Sequence, residues 1–382
     1  MTTPARTESR GWRIGRIGGA PVIITPGWAL IAVVLVVTFA PWLDSLLNLG
    51  FEAYLWALVL PVLLLVSVLA HEISHGLMAR RFGVGVGEYV ITLWGGHTSF
   101  TDAIRTPGPS AAISVAGPLA NVALALLTAG GAYLTDGVAS VAFAAATYSN
   151  GFVAVFNLLP ALPMDGGKLL EALIWKVRGD RLSGTMAAGR CGQVVAIALP
   201  VVVLGGPLLQ GGRPDLFAAI WSLLLAGMLW NGAHASVRYA RAQRSAQGMD
   251  LRRLAVGAHV LPAGASVADV DRSLAGAPSV SVVLVDPRGI PVGLVDASAL
   301  ATVPAEGRDA VPATAVATAL GPGALITQHT GPVAVAQVAR AAKAGAATVV
   351  VVGLDGGTPQ VLGLVAVADV AHALAPRRGQ GG

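Results

Sequence analysis

The 382-residue sequence has little charge and almost no cysteine. Only 12% of its residues are charged, whereas 54% are hydrophobic and the mean hydropathy is +0.70. These values lie far from those of a soluble domain, about a quarter of whose residues are charged. The single cysteine, Cys191, excludes an internal disulfide and a cysteine-based zinc site. We therefore predict an integral membrane protein in which any metal is held by His, Asp or Glu.

The basic residues do not form a nucleic-acid-binding stripe, although the net charge is +5 and the pI is near 9.8. They are scattered beside apolar runs, which indicates membrane topology, and we expect no nucleic-acid partner. Residues 1–26 contain four arginines but lack the compact apolar core and cleavage site of a signal peptide. We expect this segment to be retained as a juxtamembrane, cytosolic N-terminus.

Six apolar segments are each near the roughly 20 residues that a spanning helix needs. They cover residues 27–47, 54–78, 111–134, 139–160, 193–209 and 214–236. The fifth is short and ends in Gly205-Gly206-Pro207, which predicts a broken or tilted helix. The positive-inside rule places both termini, and the ends of the second and fourth helices, on the cytoplasmic side of a cell membrane.

After Arg253 the composition changes, and short valine-rich strands alternate with alanine-rich helical patterns. Residues 280–295 are echoed by residues 347–365, and each half of this repeat predicts the order helix, strand, turn, strand, helix. The predicted organisation is a six-helix domain over 27–238, a basic linker over 239–253, a paired α/β domain over 254–376 and a disordered tail over 377–382.

The sequence His71-Glu-Ile-Ser-His75 ends the second apolar segment. On a helix, His71 and His75 project from the same face and can bind one zinc ion, while Glu72 stands beside the water that zinc activates. This pentapeptide also occurs by chance. Charged residues in apolar flanks are costly, however, so the placement of Glu72 calls for a metal or a partner.

The best candidate for a third zinc ligand is Asp165, within Asn157-Leu-Leu-Pro-Ala-Leu-Pro-Met-Asp-Gly-Gly-Lys168. Prolines are expected to end the fourth helix here, and the two glycines to permit a sharp turn that returns the carboxylate to the metal. The prediction is a site of two histidines and one carboxylate.

Residues 88–101 predict a β-hairpin around Gly95-Gly96 that dips toward this site. His97 lies beside its tip. It either lines the site, supports a ligand from outside, or is incidental.

Three motifs together resemble the site-2 protease family of intramembrane metalloproteases. They are the His-Glu-x-x-His sequence, Ser114-Val-Ala-Gly-Pro-Leu-Ala-Asn121, and the segment from Asn157 to Gly167, in the family's order and at similar spacing. Over residues 15–235 the resemblance implies one Zn²⁺ bound by His71, His75 and Asp165, with Glu72 as general base and acid. It also implies cleavage of single-pass membrane proteins within the bilayer, in bacteria often anti-sigma factors.

Asn121 and Asn157 are candidates for stabilising the oxyanion or holding an unwound substrate segment. For Asn121 the alternative is a hydrogen bond between helices, because it lies one turn beyond Gly117 on a face of small residues.

The C-terminal repeat resembles a tandem pair of cystathionine-beta-synthase-type (CBS) modules, which often bind adenine nucleotides. Such modules place Thr and then Asp after the second strand. Here Asp369 is preceded by Ala366, and Asp296 and Ala299 occupy the corresponding positions of the first half. The resemblance implies an adenine nucleotide, but these departures from the pattern count against it. The other expectation is a dimerising or lid-like domain without ligand.

The combined prediction is a polytopic α-helical membrane protease with a cytosolic α/β CBS-type pair, forming homodimers through that pair. The rival interpretation is a membrane transporter or channel regulated by the same modules, in which intramembrane charges bind ions.

Overall fold

The computed structural model describes residues 10–93, 95–277, 280–321, 323–355 and 358–374. The chain divides into two compact units, which we call the membrane unit (Met1–Ala240) and the α/β unit (Arg241–Gly382). The tail predicted to be disordered, residues 377–382, lies outside the described residues.

Six helical spans in the described residues are long and apolar enough to cross a membrane, which confirms the predicted architecture. Many of their apolar side chains are exposed, such as Leu126 and Leu127 at 71% each, and these suit contact with lipid. The helices of this part of the chain are α1 (Pro26–Leu47), α2 (Glu52–Ala57), α3 (Val59–Arg81), α4 (Pro107–Leu134), α5 (Gly137–Asn157), α6 (Asp165–Arg178), α7 (Arg181–Leu209) and α8 (Leu216–Gln247).

The prediction of a short or broken fifth spanning helix is wrong. Helix α7 begins at Arg181, where the Asp180 carboxylate caps it by accepting hydrogen bonds from the Leu182 and Ser183 backbone amides. Hydropathy missed this start because the first turns of α7 are polar. The helix continues through Gly205 and Gly206 to Leu209, although Pro200 and Pro207 lie within it.

Helix α6 was also missed, because its 14 residues are too few to span and are amphipathic. Its buried face contains Asp165, Glu171 and Ala172, and it ends at Gly179, which adopts a left-handed conformation with φ of 70°.

Two hairpins form one four-stranded sheet in the membrane unit, with β2 and β3 parallel and the other neighbours antiparallel. The strands are β1 (Trp12–Ile17), β2 (Ala20–Ile24), β3 (Val86–Thr92) and β4 (Gly95–Phe100), in the order β1-β2-β3-β4. The N-terminal segment therefore folds as a hairpin. The predicted hairpin near residue 95 is present, but its glycines lie within β4, where Gly95 pairs with Thr92 and Gly96 with Ile91.

This sheet packs on α3 through Tyr89, whose side chain is fully buried. A side chain at Gly76 would place its Cβ 2.1 Å from the Tyr89 hydroxyl oxygen, so glycine permits the contact. The packing sets β4 against α3, the helix that carries His71 and His75. Helix α4 packs against α3, α5 and α6, so it lies at the centre of the helices that carry the site.

The α/β unit shows the predicted repeat: α9 (Val267–Leu274), β6 (Ser281–Val285), β7 (Pro291–Val295) and α10 (Ala297–Ala301) are matched by α11 (Gly331–Lys343), β10 (Thr348–Asp355), β11 (Thr358–Ala366) and α12 (Val367–Leu374). The remaining strands are β5 (Ala258–Pro262), β8 (Ala317–Ala319) and β9 (Leu325–Ile326). The strand orders are β5-β6-β7-β8 and β11-β10-β9. Val283 of the first half packs with Val350 and Leu364 of the second, so the two halves share a core.

The segment predicted as a basic linker is structured. It is helical as far as Gln247, and a 3₁₀ turn follows at Leu251–Arg253. Leu251 is fully buried in a cluster with Ile326 and Val338, which explains why this segment is part of a folded domain.

Candidate metal centre

His71 and His75 lie one turn apart on α3 and face the same direction, as their spacing predicts. Both side chains are buried, and their ring centroids are 4.7 Å apart. The helix that carries them is held from one side by the sheet and from another by α4.

Asp165 completes the cluster. Its Oδ2 atom lies 3.0 Å from Nε2 of His71 and 3.1 Å from Nε2 of His75, and one ligand atom from each residue lies within 4.8 Å of the others. Asp165 is the first residue of α6, where a carboxylate is also favoured by the helix dipole.

The glycines after Asp165 serve close packing rather than the predicted sharp turn. Both are helical residues of α6. A Cβ at Gly166 would lie 2.3 Å from the Leu158 carbonyl oxygen, and one at Gly167 would lie 2.2 Å from the Leu162 nitrogen. Only glycine therefore lets the start of α6 approach the loop that follows α5.

Each histidine ring is oriented by a hydrogen bond from Nδ1. His75 donates to the Ile113 carbonyl oxygen at 2.6 Å, and His71 donates to Oδ1 of Asn121. Because Nδ1 donates in both rings, Nε2 is the nitrogen that a neutral ring leaves free to bind a metal beside Asp165. Two neutral imidazoles and one carboxylate form a donor set that zinc prefers. The ligand separations fit as well, since a tetrahedral zinc site places its nitrogen and oxygen ligands roughly 3.3 Å apart.

Lys168 contacts the other carboxylate oxygen of Asp165, with Nζ 3.0 Å from Oδ1. This ion pair leaves Oδ2 directed at the histidines. Lys168 ends the sequence segment that begins at Asn157. Because α6 begins at Asp165, Lys168 lies one helical turn beyond it, which the sequence did not show.

Gly117 allows α4 to pass directly over the two imidazoles. A Cβ at this position would lie 2.4 Å from Nε2 of His75 and 2.5 Å from Nε2 of His71. Gly117, within the motif Ser114–Asn121 of α4, therefore leaves space for the metal centre.

Glu72 is buried beside the cluster, and β4 covers it. The Thr98 hydroxyl donates to Oε2 of Glu72 at 2.7 Å and lies 3.0 Å from the Glu72 carbonyl oxygen. A Cβ at Gly96 would lie 2.5 Å from Cγ of Glu72. Alternation along the strand turns His97 to the opposite face, where it is exposed and outside the metal cluster.

The two asparagines differ in their surroundings. Asn121 is fully buried, and its amide donates to Ser67 and Asn150, each at 2.9 Å. Both of its hydrogens are thus used, which leaves none for an oxyanion. Asn157, the last residue of α5, is half-buried, and its side-chain amide makes no hydrogen bond to the described residues.

Sequence reasoning missed Ser67, Asn150, Thr98 and Lys168. A signal existed for Asn150, because an amide side chain in an apolar helix needs a buried partner. For Thr98 none existed, since its contact with Glu72 depends on how the sheet packs on α3.

The candidate nucleotide residues of the α/β unit are engaged locally or exposed. The Asp296 carboxylate caps α10 by accepting from the Ser298 and Ala299 backbone amides. Asp369 is exposed in the first turn of α12, and Ala366 ends β11.

Six spanning helices with a buried site of two histidines and an aspartate, beside a glutamate, define a class of membrane-embedded zinc hydrolases. A family model described as peptidase family M50 matches residues 59–138 and 128–201, which include all three ligands. Over this range the membrane unit is similar to the site-2 type zinc metalloproteases, and the metal that this site is built to hold is Zn²⁺.

Two named proteins are similar to this chain in sequence. The chain is 28% identical over 259 residues to "Putative zinc metalloprotease sll0528" of Synechocystis, a match that covers 67% of each chain. It is 32% identical over 232 residues to "Putative zinc metalloprotease Rip3" of Mycobacterium tuberculosis, covering 58% of this chain and 57% of that protein. The chain thus spans less than two thirds of the second relative.

Two solved structures are similar to parts of this chain. The site-2 protease from Methanocaldococcus jannaschii is 23% identical, with a TM-score of 0.42, and the match covers 60% of this chain and 95% of that one. The CBS domain of the bacterial CNNM/CorC family Mg²⁺ transporter is 15% identical, with a TM-score of 0.28, and the match covers 40% of this chain and 93% of that domain.

Proposed function

We propose that this protein is an intramembrane zinc endopeptidase that hydrolyses a peptide bond within the transmembrane segment of a single-pass membrane protein. One observation carries the proposal: His71, His75 and Asp165 converge, buried, among helices that are long and apolar enough to span a bilayer. A soluble substrate cannot reach ligands at that depth, whereas a membrane-embedded segment can.

Glu72 acts as the general base and acid in this proposal. Zinc, when bound, supplies a Lewis acid that polarises the scissile carbonyl and makes water a stronger acid. The Glu72 carboxylate accepts the proton of the attacking water and then passes it to the leaving amine. The hydrogen bond from Thr98 to Oε2 orients the carboxylate, so that Oε1 is available for the proton.

Asn157 is the better candidate for contact with substrate. Its amide is free among the described residues and lies at the end of α5, where the chain turns toward Asp165. We propose that it donates to the developing oxyanion or to an unwound part of the substrate. Asn121 instead orients His71, because its amide hydrogens are already used.

The proposed topology places the site near the cytoplasmic face of the cell membrane, with both termini in the cytoplasm. The support is the distribution of basic residues: α3 ends with Arg80 and Arg81 shortly after His75, and α6 ends with Lys176 and Arg178. In a bacterium, anti-sigma factors are then natural substrates, because cleavage near this face releases a cytoplasmic domain.

We further propose that the α/β unit is a regulatory module that pairs with a second copy of itself. Exposed apolar side chains such as Leu354 and Val256 support an interaction surface on this unit. Light scattering of the detergent-solubilised protein should report a dimer that Leu354→Asp weakens. Adenine-nucleotide binding stays a prediction, which calorimetry with ATP would test. We expect weak or no binding, because the Asp296 carboxylate already accepts hydrogen bonds from the Ser298 and Ala299 amides.

The decisive experiment uses purified full chain in proteoliposomes with a single-pass substrate. Glu72→Gln should abolish cleavage while zinc stays stoichiometric, because the metal ligands are untouched. Glu52→Gln, which changes an exposed carboxylate on α2, should cleave like the unaltered protein. Undiminished cleavage by Glu72→Gln would refute the assignment. Two results together would favour a transporter instead: ion flux through the same vesicles, and zinc that stays bound in the His71→Ala variant.

A further inference from the structure

Three buried polar side chains lie beside the metal centre without being metal ligands. Ser67 of α3, Asn121 of α4 and Asn150 of α5 are 2%, 0% and 4% exposed. In apolar surroundings a polar atom without a partner is costly, so the way these groups pair is constrained.

The pairing begins at a backbone carbonyl. Nδ2 of Asn150 donates to the Ala146 carbonyl oxygen at 2.9 Å. A carbonyl oxygen can only accept, so the NH₂ group of Asn150 must face Ala146 and its Oδ1 must face the other two helices. There, Oδ1 accepts from the Ser67 hydroxyl at 2.7 Å and from Asn121 at 2.9 Å.

This arrangement fixes the orientation of Asn121. Because Oδ1 of Asn150 only accepts, Asn121 must present its NH₂ group to it, and the second hydrogen goes to the Ser67 oxygen at 2.9 Å. Oδ1 of Asn121 therefore faces Nδ1 of His71, which must carry a hydrogen. In the neutral ring the lone pair of His71 is then on Nε2, the atom that lies 3.0 Å from Asp165.

We infer that Asn150 and Ser67 are positioning residues for zinc binding, which set the ring orientation and tautomer of His71 through Asn121. His75 needs no such relay, because the Ile113 carbonyl accepts directly from its Nδ1. The inference rests on the zinc site of the proposed function but not on proteolysis itself. It assigns a metal-tuning role to residues on α3 and α5 that contact no ligand atom of the site.

Zinc affinity of the purified full chain, measured by competition with a chelator, tests this role. Loss of a group that orients a metal ligand typically weakens metal binding about 10- to 100-fold, and Asn150→Ala should fall in that range. Ser67→Ala should have a smaller effect, because Asn121 keeps its bond to Asn150.

Thr147→Val is the matched control. Thr147 lies one turn before Asn150 on α5, and its hydroxyl bonds Thr128 of α4 at 3.0 Å. The variant removes a contact between the same two helices but leaves the relay intact, so zinc affinity should not change. An equal loss in Thr147→Val would overturn the inference, because it would show that helix packing alone sets the affinity.

The second readout is the ¹⁵N spectrum of histidine-labelled, metal-free protein, with His71 assigned by its loss in His71→Ala. The unaltered protein should show His71 with hydrogen on Nδ1, and Asn150→Ala should show a mixture of tautomers. Unchanged zinc affinity and an unchanged tautomer in Asn150→Ala would refute the relay. Should Asn150→Ala not fold, Ser67→Ala decides by zinc affinity: a loss relative to Thr147→Val supports the relay, and no loss refutes it. Neither readout involves substrate, so a failure of the proposed protease function would be seen separately.

Discussion

The two units of this protein treat their polar residues in opposite ways. In the membrane unit, His71 and His75 of α3 meet Asp165 of α6 in a buried cluster, although the two helices are far apart in the chain. In the α/β unit, Asp296 bonds residues two and three positions along the chain, and Asp369 is exposed.

The solvent explains this difference. A polar group in an apolar medium must find a partner inside the protein, so polar residues of spanning helices converge on one another or on a metal. A polar group beside water can cap its own helix or remain solvated. A polar residue is therefore stronger evidence for a functional site in the membrane unit than in the α/β unit.

The largest effect should come from removing a ligand. Asp165→Ala should reduce bound zinc to background and abolish cleavage, because two imidazoles alone hold zinc weakly. Asp296→Ala, which removes an aspartate of the α/β unit, should keep zinc stoichiometric. Metal analysis of both purified variants would measure the zinc bound per chain. Equal zinc in the two variants would mean that the buried cluster is not the metal site.

Gly117→Ala should be nearly as severe, although it changes no ligand. Its Cβ would lie 2.4 Å and 2.5 Å from the Nε2 atoms of His75 and His71, so α4 or the rings must move. We expect weakened zinc binding by chelator competition. Gly130→Ala in the same helix meets no atom within 4 Å and should bind zinc normally.

Asn157→Ala should reduce kcat while zinc binding is unchanged. If the free amide stabilises the oxyanion, the loss should be about 10²-fold or more, the usual cost of removing such a donor. Steady-state cleavage rates with parallel metal analysis test the prediction. A rise in KM alone would indicate that Asn157 holds the substrate instead.

Thr98→Val should lower the cleavage rate roughly 10- to 100-fold, since a hydrogen bond to a charged group contributes about 1.5–3 kcal/mol. Zinc should remain bound, because Thr98 touches Glu72 and no ligand. Ser99→Ala changes the neighbouring hydroxyl of β4, which faces Glu88, and serves as the control. A normal rate in Thr98→Val would show that Glu72 is oriented by other contacts.

The smallest effect should be a pH-dependent one in the α/β unit. The hydrogen bonds that Asp296 accepts from the Ser298 hydroxyl and from the Ser298 and Ala299 amides lower its pKa. The carboxylate therefore stabilises α10 at neutral pH, and this contribution is lost as the pH falls through the lowered pKa. Hydrogen exchange of α10 should be faster in Asp296→Ala at neutral pH, and the difference should disappear in acid. A difference that persists in acid would contradict this role.

Much of the fold and site followed from local patterns. Helical periodicity placed His71 and His75 on one face, and apolar length identified the six spans. Amphipathic α6 was missed because hydropathy detects only long apolar runs. Thr98 could not be found, since its role depends on a sheet in which the N-terminal strands pair with residues 86–92.

The sequence by itself determined the chemistry of this protein: two histidines one turn apart, a glutamate between them, and a distant aspartate in apolar flanks. The tertiary structure decided how those groups are held. Gly117 allows α4 to pack against the two imidazole rings, and the start of α6 directs Asp165 toward them. Asn150 orients His71 through Asn121. Contacts of this kind join residues up to 94 positions apart, as between His71 and Asp165. Helical periodicity specifies only neighbours within a few turns, so packing had to settle the rest.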